Sequence, residues 1–167
     1  MAMLENVKAL WTEIQERKTM PRSVLVNSGS LRYVQNISVG SHVLQADEPS
    51  EYGGNDVGPN PYELLLAALG ACTSMTVQMY AERKQWPLQG VQVSLSYAKV
   101  HAEDCAECET KVGMVDRIGM EISFTGDLSE EQQRRLLEIA NKCPVHRTLA
   151  SRAQIDTRLI VASSPSP

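Results

Sequence analysis

"NPYELLLAALGACTSMTVQMYAERKQWP", residues 60–87, decides how the rest of the chain is read. Asn60 can cap a helix, Pro61 suits the first helical position, and Glu63 stands three residues after the cap. The run from Leu64 to Ala81 is uncharged, and Pro87 stops it. Its first half is apolar all round, the mark of a helix buried in a core. That length touches the limit for crossing a membrane. Thr73, Ser74, Thr76 and Gln78 interrupt the run, however, so the expectation is a core helix and no membrane partner. Cys72 sits near its middle. At about 100° per residue, Leu65, Ala68, Leu69, Met75, Thr76 and Met79 share its face. In that setting a cysteine is either a small hydrophobe or a thiol with a function.

The 167 residues read as ordinary globular protein, 43% hydrophobic and 22% charged. The net charge is −4, and the 16 basic residues are scattered, which argues against nucleic acid as a partner. The stretch "MAMLENVKALWTEIQERKT" predicts an amphipathic helix over about residues 3–18, with Leu4, Val7, Leu10, Trp11 and Ile14 on one stripe. Its acidic residues and broken apolar pattern are not those of a signal peptide. The four cysteines are therefore expected in a reducing cytoplasm, where thiols serve catalysis or metal binding more than structural disulfides.

Outward from the long helix, periodicity predicts strands at 23–27, 31–39 and 41–47, with Gly29 and Gly40 at the turns. A Gly/Pro-rich loop over 48–61 leads into the helix. Strands follow at 91–100 and 117–126. Asp127 and Glu130 form a capping-box-like start for a second helix that runs to about Lys142. "CPVHRTLAS" reads as a short further turn and 153–161 as a last strand. This order gives an α+β fold with a mostly antiparallel sheet. The expected organisation is a helical extension over 1–20, one domain over 21–162, and a disordered tail over 163–167.

Two cysteines could carry chemistry. Cys143 precedes Pro144 in "KCPVHRTL", a placement suited to the N-cap of a new helical turn, where nearby amides lower a thiol's pKa. His146 and Arg147 add donors nearby. The plainer alternative is that Pro144 breaks the helix and Cys143 fills a gap. If the fold brings Cys72 and Cys143 together, they have the makings of a peroxidatic and resolving pair. One thiolate attacks an O–O bond and becomes a sulfenic acid, and the other condenses with it to a disulfide. Elsewhere, "HAEDCAECE" (101–109) offers His101, Cys105 and Cys108 as three possible zinc ligands. No fourth ligand is evident, and the surrounding carboxylates raise thiol pKa values. The segment reads as an exposed acidic hairpin loop, with metal binding or a local disulfide as alternatives. No metal or cofactor is expected.

"ADEPSEYGGNDVGPNPYELLLAALGACTSMTVQMYAERKQWPLQGVQV" and "GDLSEEQQRRLLEIANKCPVHRTL" together resemble the OsmC/Ohr superfamily, the osmotically inducible protein C and organic hydroperoxide resistance proteins. The resemblance covers about residues 22–161. NPxELLxAALxxC followed later by KCPV is a specific combination. It implies a thiol peroxidase acting on organic hydroperoxides, re-reduced by an external dithiol of the lipoyl type. It also implies an intertwined homodimer in which antiparallel sheets wrap around central Cys-bearing helices. Cys72 falls on the family's reactive cysteine and Cys143 on its resolving one. The family's glutamate position holds Tyr62 here, with Glu63 one residue later. Nine residues of helix make about 900° and about 13 Å, so Glu63 points away from Cys72. It could reach a thiol only from a later helix start or from a partner subunit. Arg32, with Arg22 behind it, is the counterpart of an arginine on an N-terminal strand. Outside the resemblance, the same chain could be a dimeric binding module with an apolar cleft, or a metal protein using residues 101–108. A cysteine hydrolase is disfavoured because His146 lies beside Cys143 and not Cys72.

Overall fold

The structure, a computed structural model, describes residues 23–101 and 112–160. The N-terminal helix expected over 1–20, Cys105, Cys108 and the tail over 163–167 lie outside them. The chain divides after Pro61 into two compact units.

The first unit carries an antiparallel meander of β1 (Val24–Ser28), β2 (Gln35–Val39) and β3 (His42–Ala46). Val24 pairs with Val39, and Gln35 with Ala46. Gly40 turns β2 into β3 with φ +61°, a conformation that favours glycine. The second strand starts later than its alternation predicts. Gly29 N–H donates to the Val34 carbonyl at 2.7 Å, Val34 N–H donates to that of Leu31, and Tyr33 adopts φ +67°. These bonds hold residues 31–34 in a turn, which places Arg32 in the turn and not on a strand.

The loop after β3 is pinned from within by Asp47, 2% exposed. Its carboxylate accepts the backbone N–H groups of Glu48 and Asn55, both at 2.8 Å, and of Val57 at 3.5 Å. Burial pushes the carboxyl up, but the three backbone donors outweigh it and hold it below the usual carboxylate range.

The second unit begins with α1 (Pro61–Arg83), followed by the hairpin of β4 (Leu88–His101) and β5 (Met114–Gly126). Val93 pairs with Ile122 and Leu95 with Met120. Both strands are longer than predicted and alternate half-buried apolar residues with exposed polar ones. α1 buries one stripe at four-residue spacing, Leu69, Thr73, Val77 and Ala81. Gly70 permits close contact with the hairpin, since a Cβ there would stand 2.8 Å from Leu95 Cδ1. Val77 and Ala81 pack against Leu136 and Ala140 of α2 (Glu130–Ala140), and Trp86, Val91, Ile122 and Phe124 complete this core.

Three expectations need correction. The capping box of α2 is Ser129 with Gln132, not Asp127 with Glu130. Leu128 N–H donates to the Gly126 carbonyl in a tight turn, so the helix begins after Ser129. Residues 153–160 form no strand; among the described residues nothing pairs with them, and Ile155, Leu159 and Ile160 are exposed. Finally, α1 is buried along only one stripe within this chain, and Leu65, Met75 and Met79 are 36%, 62% and 45% exposed.

Because the folded Asp47 carboxyl titrates low, its contribution to stability is present above the unfolded carboxylate pKa of about 3.9. That contribution is lost as pH falls through the lower folded value. The amide proton shifts of Glu48, Asn55 and Val57 should therefore titrate together with a midpoint below that of a free aspartate. Asp47→Asn should remove this shared titration and loosen residues 48–57 at neutral pH, read as faster amide exchange.

Candidate active site

Cys72 lies in the middle of α1, one residue before Thr73 of the buried stripe, and is itself half-buried. Its carbonyl accepts the Thr76 hydroxyl at 2.7 Å, a local i−4 bond along the helix. Cys143 comes from the junction after α2. There Lys142 N–H donates to Ile139 O and Cys143 N–H to Ala140 O, closing that helix. Pro144 then opens α3 (Pro144–Leu149). A proline at this position has no N–H to satisfy and fixes a helical φ. Cys143 is the N-cap, with its Sγ accepting the backbone N–H of His146 at 3.2 Å. The donor that His146 adds is its backbone N–H.

Cys143 is fully buried, and its sulfur also accepts the hydroxyl of Thr73 at 3.3 Å. The Cys72 thiol sits against this sulfur and against the backbone N–H of Val145. Both thiols are free. Helix α1 and the α2–α3 junction therefore bring the two cysteines together across the second unit.

Burial is the largest influence on Cys72 and pushes its pKa up. The Val145 N–H opposes this, while the hydrogen bond and charge of Cys143 push it further up. In the reduced pair Cys72 is consequently a thiol that holds its proton.

The side chains of the other candidates make different contacts. Glu63 lies in the first turn of α1 and lines an open groove of about 500 Å³. Leu66, Ala67, Gly70, Ala71 and Ser74 share that groove with Val93 and Leu95, and Cys72 is not on its wall. Arg32 belongs to the first unit. Its guanidinium donates to Tyr33 Oη at 2.8 Å and packs over that ring, and its carbonyl accepts from Asn55. Tyr62 stacks on Tyr97, ring centroids 4.4 Å apart, and the Tyr97 hydroxyl donates to Asp116 at 2.6 Å. That carboxylate, before the Tyr62 contact, holds the Tyr97 hydroxyl protonated well above its usual range. The imidazole of His146 faces a cavity of about 210 Å³ lined by Leu69, Asp116, Ile118, Met120 and Leu149. Its Nδ1 is buried there without a hydrogen bond. His101 ends β4, and among the described residues no group of three His, Cys, Asp or Glu is placed to hold a metal.

Residues 53–158 match the sequence model of the OsmC-like protein family, well over half of the chain. The chain belongs to this family. Solved structures of the same fold bear out the architecture. An OsmC-like protein from Mycoplasma pneumoniae superposes with a TM-score of 0.62 at 16% identity, covering 79% of this chain and 89% of that one. An organic hydroperoxide resistance protein OsmC from Legionella pneumophila gives 0.58 at 19% identity, with 78% and 90% covered. The organic hydroperoxide resistance protein OhrB of Bacillus subtilis gives 0.53 at 17% identity, with 77% and 89% covered. No curated protein is a significant match by sequence. At these identities the structures establish the OsmC fold, an α+β arrangement of antiparallel sheets and a long helix.

The pKa of Cys72 can be read by alkylation, because only the thiolate reacts. Its rate with iodoacetamide should rise with pH to a midpoint above the usual thiol range. Cys143→Ser should lower that midpoint, since the hydrogen bond and charge of Cys143 both raise it. The part due to burial should remain.

Proposed function

We propose that this OsmC-family chain is a thiol peroxidase that reduces organic hydroperoxides. The observation that carries the reading is the pair of free thiols from two separate elements, one half-exposed and one buried, packed against each other. The Cys72 thiolate attacks the O–O bond of ROOH, giving Cys72 sulfenic acid and an alkoxide that takes a proton to leave as ROH. Cys143 then attacks the sulfenic sulfur, a Cys72–Cys143 disulfide forms, and water leaves. An external dithiol, of the lipoyl type that the family resemblance implies, returns both thiols and becomes the disulfide. The names of the Legionella and Bacillus proteins support the choice of an organic hydroperoxide. So does the apolar setting of Cys72, because each buried methylene of a substrate is worth about 0.8 kcal/mol and a few give a tenfold preference over hydrogen peroxide.

The raised pKa of Cys72 calls for a cation at the peroxidatic step, and we assign Arg32 to it. α1 begins at Pro61, which leaves no later helix start to bring Glu63 to a thiol, so in this reading its contribution comes from a partner subunit. A homodimer is the proposed assembly. α1 is long and apolar enough to cross a membrane, yet only 28% of its most apolar window is buried within the chain. A second copy is the cover proposed for Leu65, Met75 and Met79.

Cys72→Ser should abolish turnover of cumene hydroperoxide. Cys143→Ser should consume one equivalent and stop at a sulfenic acid, trapped with dimedone. Arg32→Ala should slow the first step without altering the far-ultraviolet circular dichroism. Light scattering at micromolar concentration should report a dimer. Unchanged turnover in Cys72→Ser would overturn this assignment, as would hydrogen peroxide outrunning cumene hydroperoxide. Thiol loss no faster than that of free cysteine would favour the non-catalytic binding module.

A further inference from the structure

Thr73 occupies a position on α1 that packing alone would give to an apolar residue. It is fully buried, and Leu69, Val77 and Ala81 hold the other places on the same stripe. Valine has nearly the same shape and would fill the site without bringing a hydroxyl out of water. Threonine within a helix commonly turns its hydroxyl back to the carbonyl four residues earlier, as Thr76 does to Cys72. The Thr73 hydroxyl instead donates to Cys143 Sγ at 3.3 Å. A neutral thiol sulfur is a weak acceptor and offsets little of the cost of burying a hydroxyl. A thiolate is a strong one. The same sulfur already takes the His146 N–H at 3.2 Å, so two donors converge on it from two elements.

We propose that Thr73 is a positioning residue for the resolving step, its hydroxyl holding and stabilising the Cys143 sulfur as the thiolate that attacks Cys72. The inference rests on the Cys72–Cys143 pairing proposed above and adds to it the group that prepares the second thiol. The proton balance follows. Cys143 gives up its proton before attack, the new S–S bond forms as the group on Cys72 leaves, and the Thr73 O–H stays intact throughout.

A peroxide-free assay separates this inference from the choice of substrate. The full-length protein, carrying Cys105→Ser and Cys108→Ser in every form compared so that Cys72 and Cys143 are the reacting thiols, is treated with one equivalent of 5,5′-dithiobis(2-nitrobenzoate). The half-exposed Cys72 takes up one thionitrobenzoate as a mixed disulfide and releases the first. Attack by Cys143 on the Cys72 sulfur then releases the second, and that phase is followed across pH. Removing a donor lowers the thiolate fraction but makes each thiolate a better nucleophile, by about half a log unit for each unit of pKa. Losing a hydrogen bond of charge-assisted strength corresponds to roughly one such unit.

In Thr73→Val the second release should therefore be roughly threefold slower on the acid limb and roughly threefold faster on the alkaline plateau. The two pH profiles should cross, with the variant's midpoint displaced to higher pH. Thr73→Ser, which keeps the hydroxyl, should restore the wild-type profile. A loss of packing would slow the reaction at every pH and produce no crossing. Superimposable profiles for Thr73→Val and wild type would overturn the proposal, as would a Thr73→Ser profile matching that of valine. If wild type itself releases no second equivalent, the Cys72–Cys143 pairing falls and this inference with it. If the crossing is seen but no hydroperoxide is consumed, the role of Thr73 stands and only the peroxidase reading fails.

Discussion

The second unit depends on one buried stripe of α1, and that stripe does two jobs along its length. Toward its C-terminal end, Val77 and Ala81 close against Leu136 and Ala140 in an apolar cluster. One turn earlier the contact changes from apolar to polar, where Thr73 meets Cys143. The apolar half fixes the direction of α2, and with it the place where that helix must end. The N–H of Cys143 bonds back to Ala140, a residue of the core itself, so the position of the buried thiol is tied to the best-packed part of the unit. Cys72, one residue before Thr73, is carried to the edge of the same contact.

This arrangement explains why the two cysteines differ although they touch. Cys143 is an N-cap, and its sulfur accepts a backbone N–H in the way a serine oxygen would at the start of a helix. Cys72 is in the interior of a long helix, where its own backbone N–H groups are already used and little remains to stabilise a charge. Burial therefore has the largest effect on it, reinforced by Cys143 and opposed by the Val145 N–H and the Thr76 hydroxyl. The nucleophile of the proposed reaction is thus the less favourably placed thiolate of the pair. That asymmetry is why the proposal requires a cation beside Cys72.

Much of this was legible in the sequence, for reasons that can be named. Asn60, Pro61 and Pro87 bound α1 by local backbone chemistry, and Cys143–Pro144 announced an N-cap by the same means. The turn at 31–34 was not legible, because "LRYVQNISV" alternates as a strand does and only the bonds among Gly29, Leu31 and Val34 break it. The capping box of α2 was misplaced by two residues because Asp127 and Ser129 are both good caps, and the choice is made by the turn at Gly126–Leu128. Residues 153–160 alternate convincingly, yet a strand needs a partner, and its own pattern does not supply one.

Thr73 is the instructive omission. In the sequence it belongs to the polar residues that interrupt an apolar run, which made it evidence against a membrane span and nothing more. Its signal was positional: it stands four residues after Leu69 and four before Val77, on the stripe with the least room for a hydroxyl. A polar side chain at such a place has to be answered by a partner elsewhere in the chain. Its partner lies off α1, in the buried sulfur of Cys143. The interruption of the apolar pattern and the pairing of the two thiols are therefore one feature, seen first along the helix and then across it.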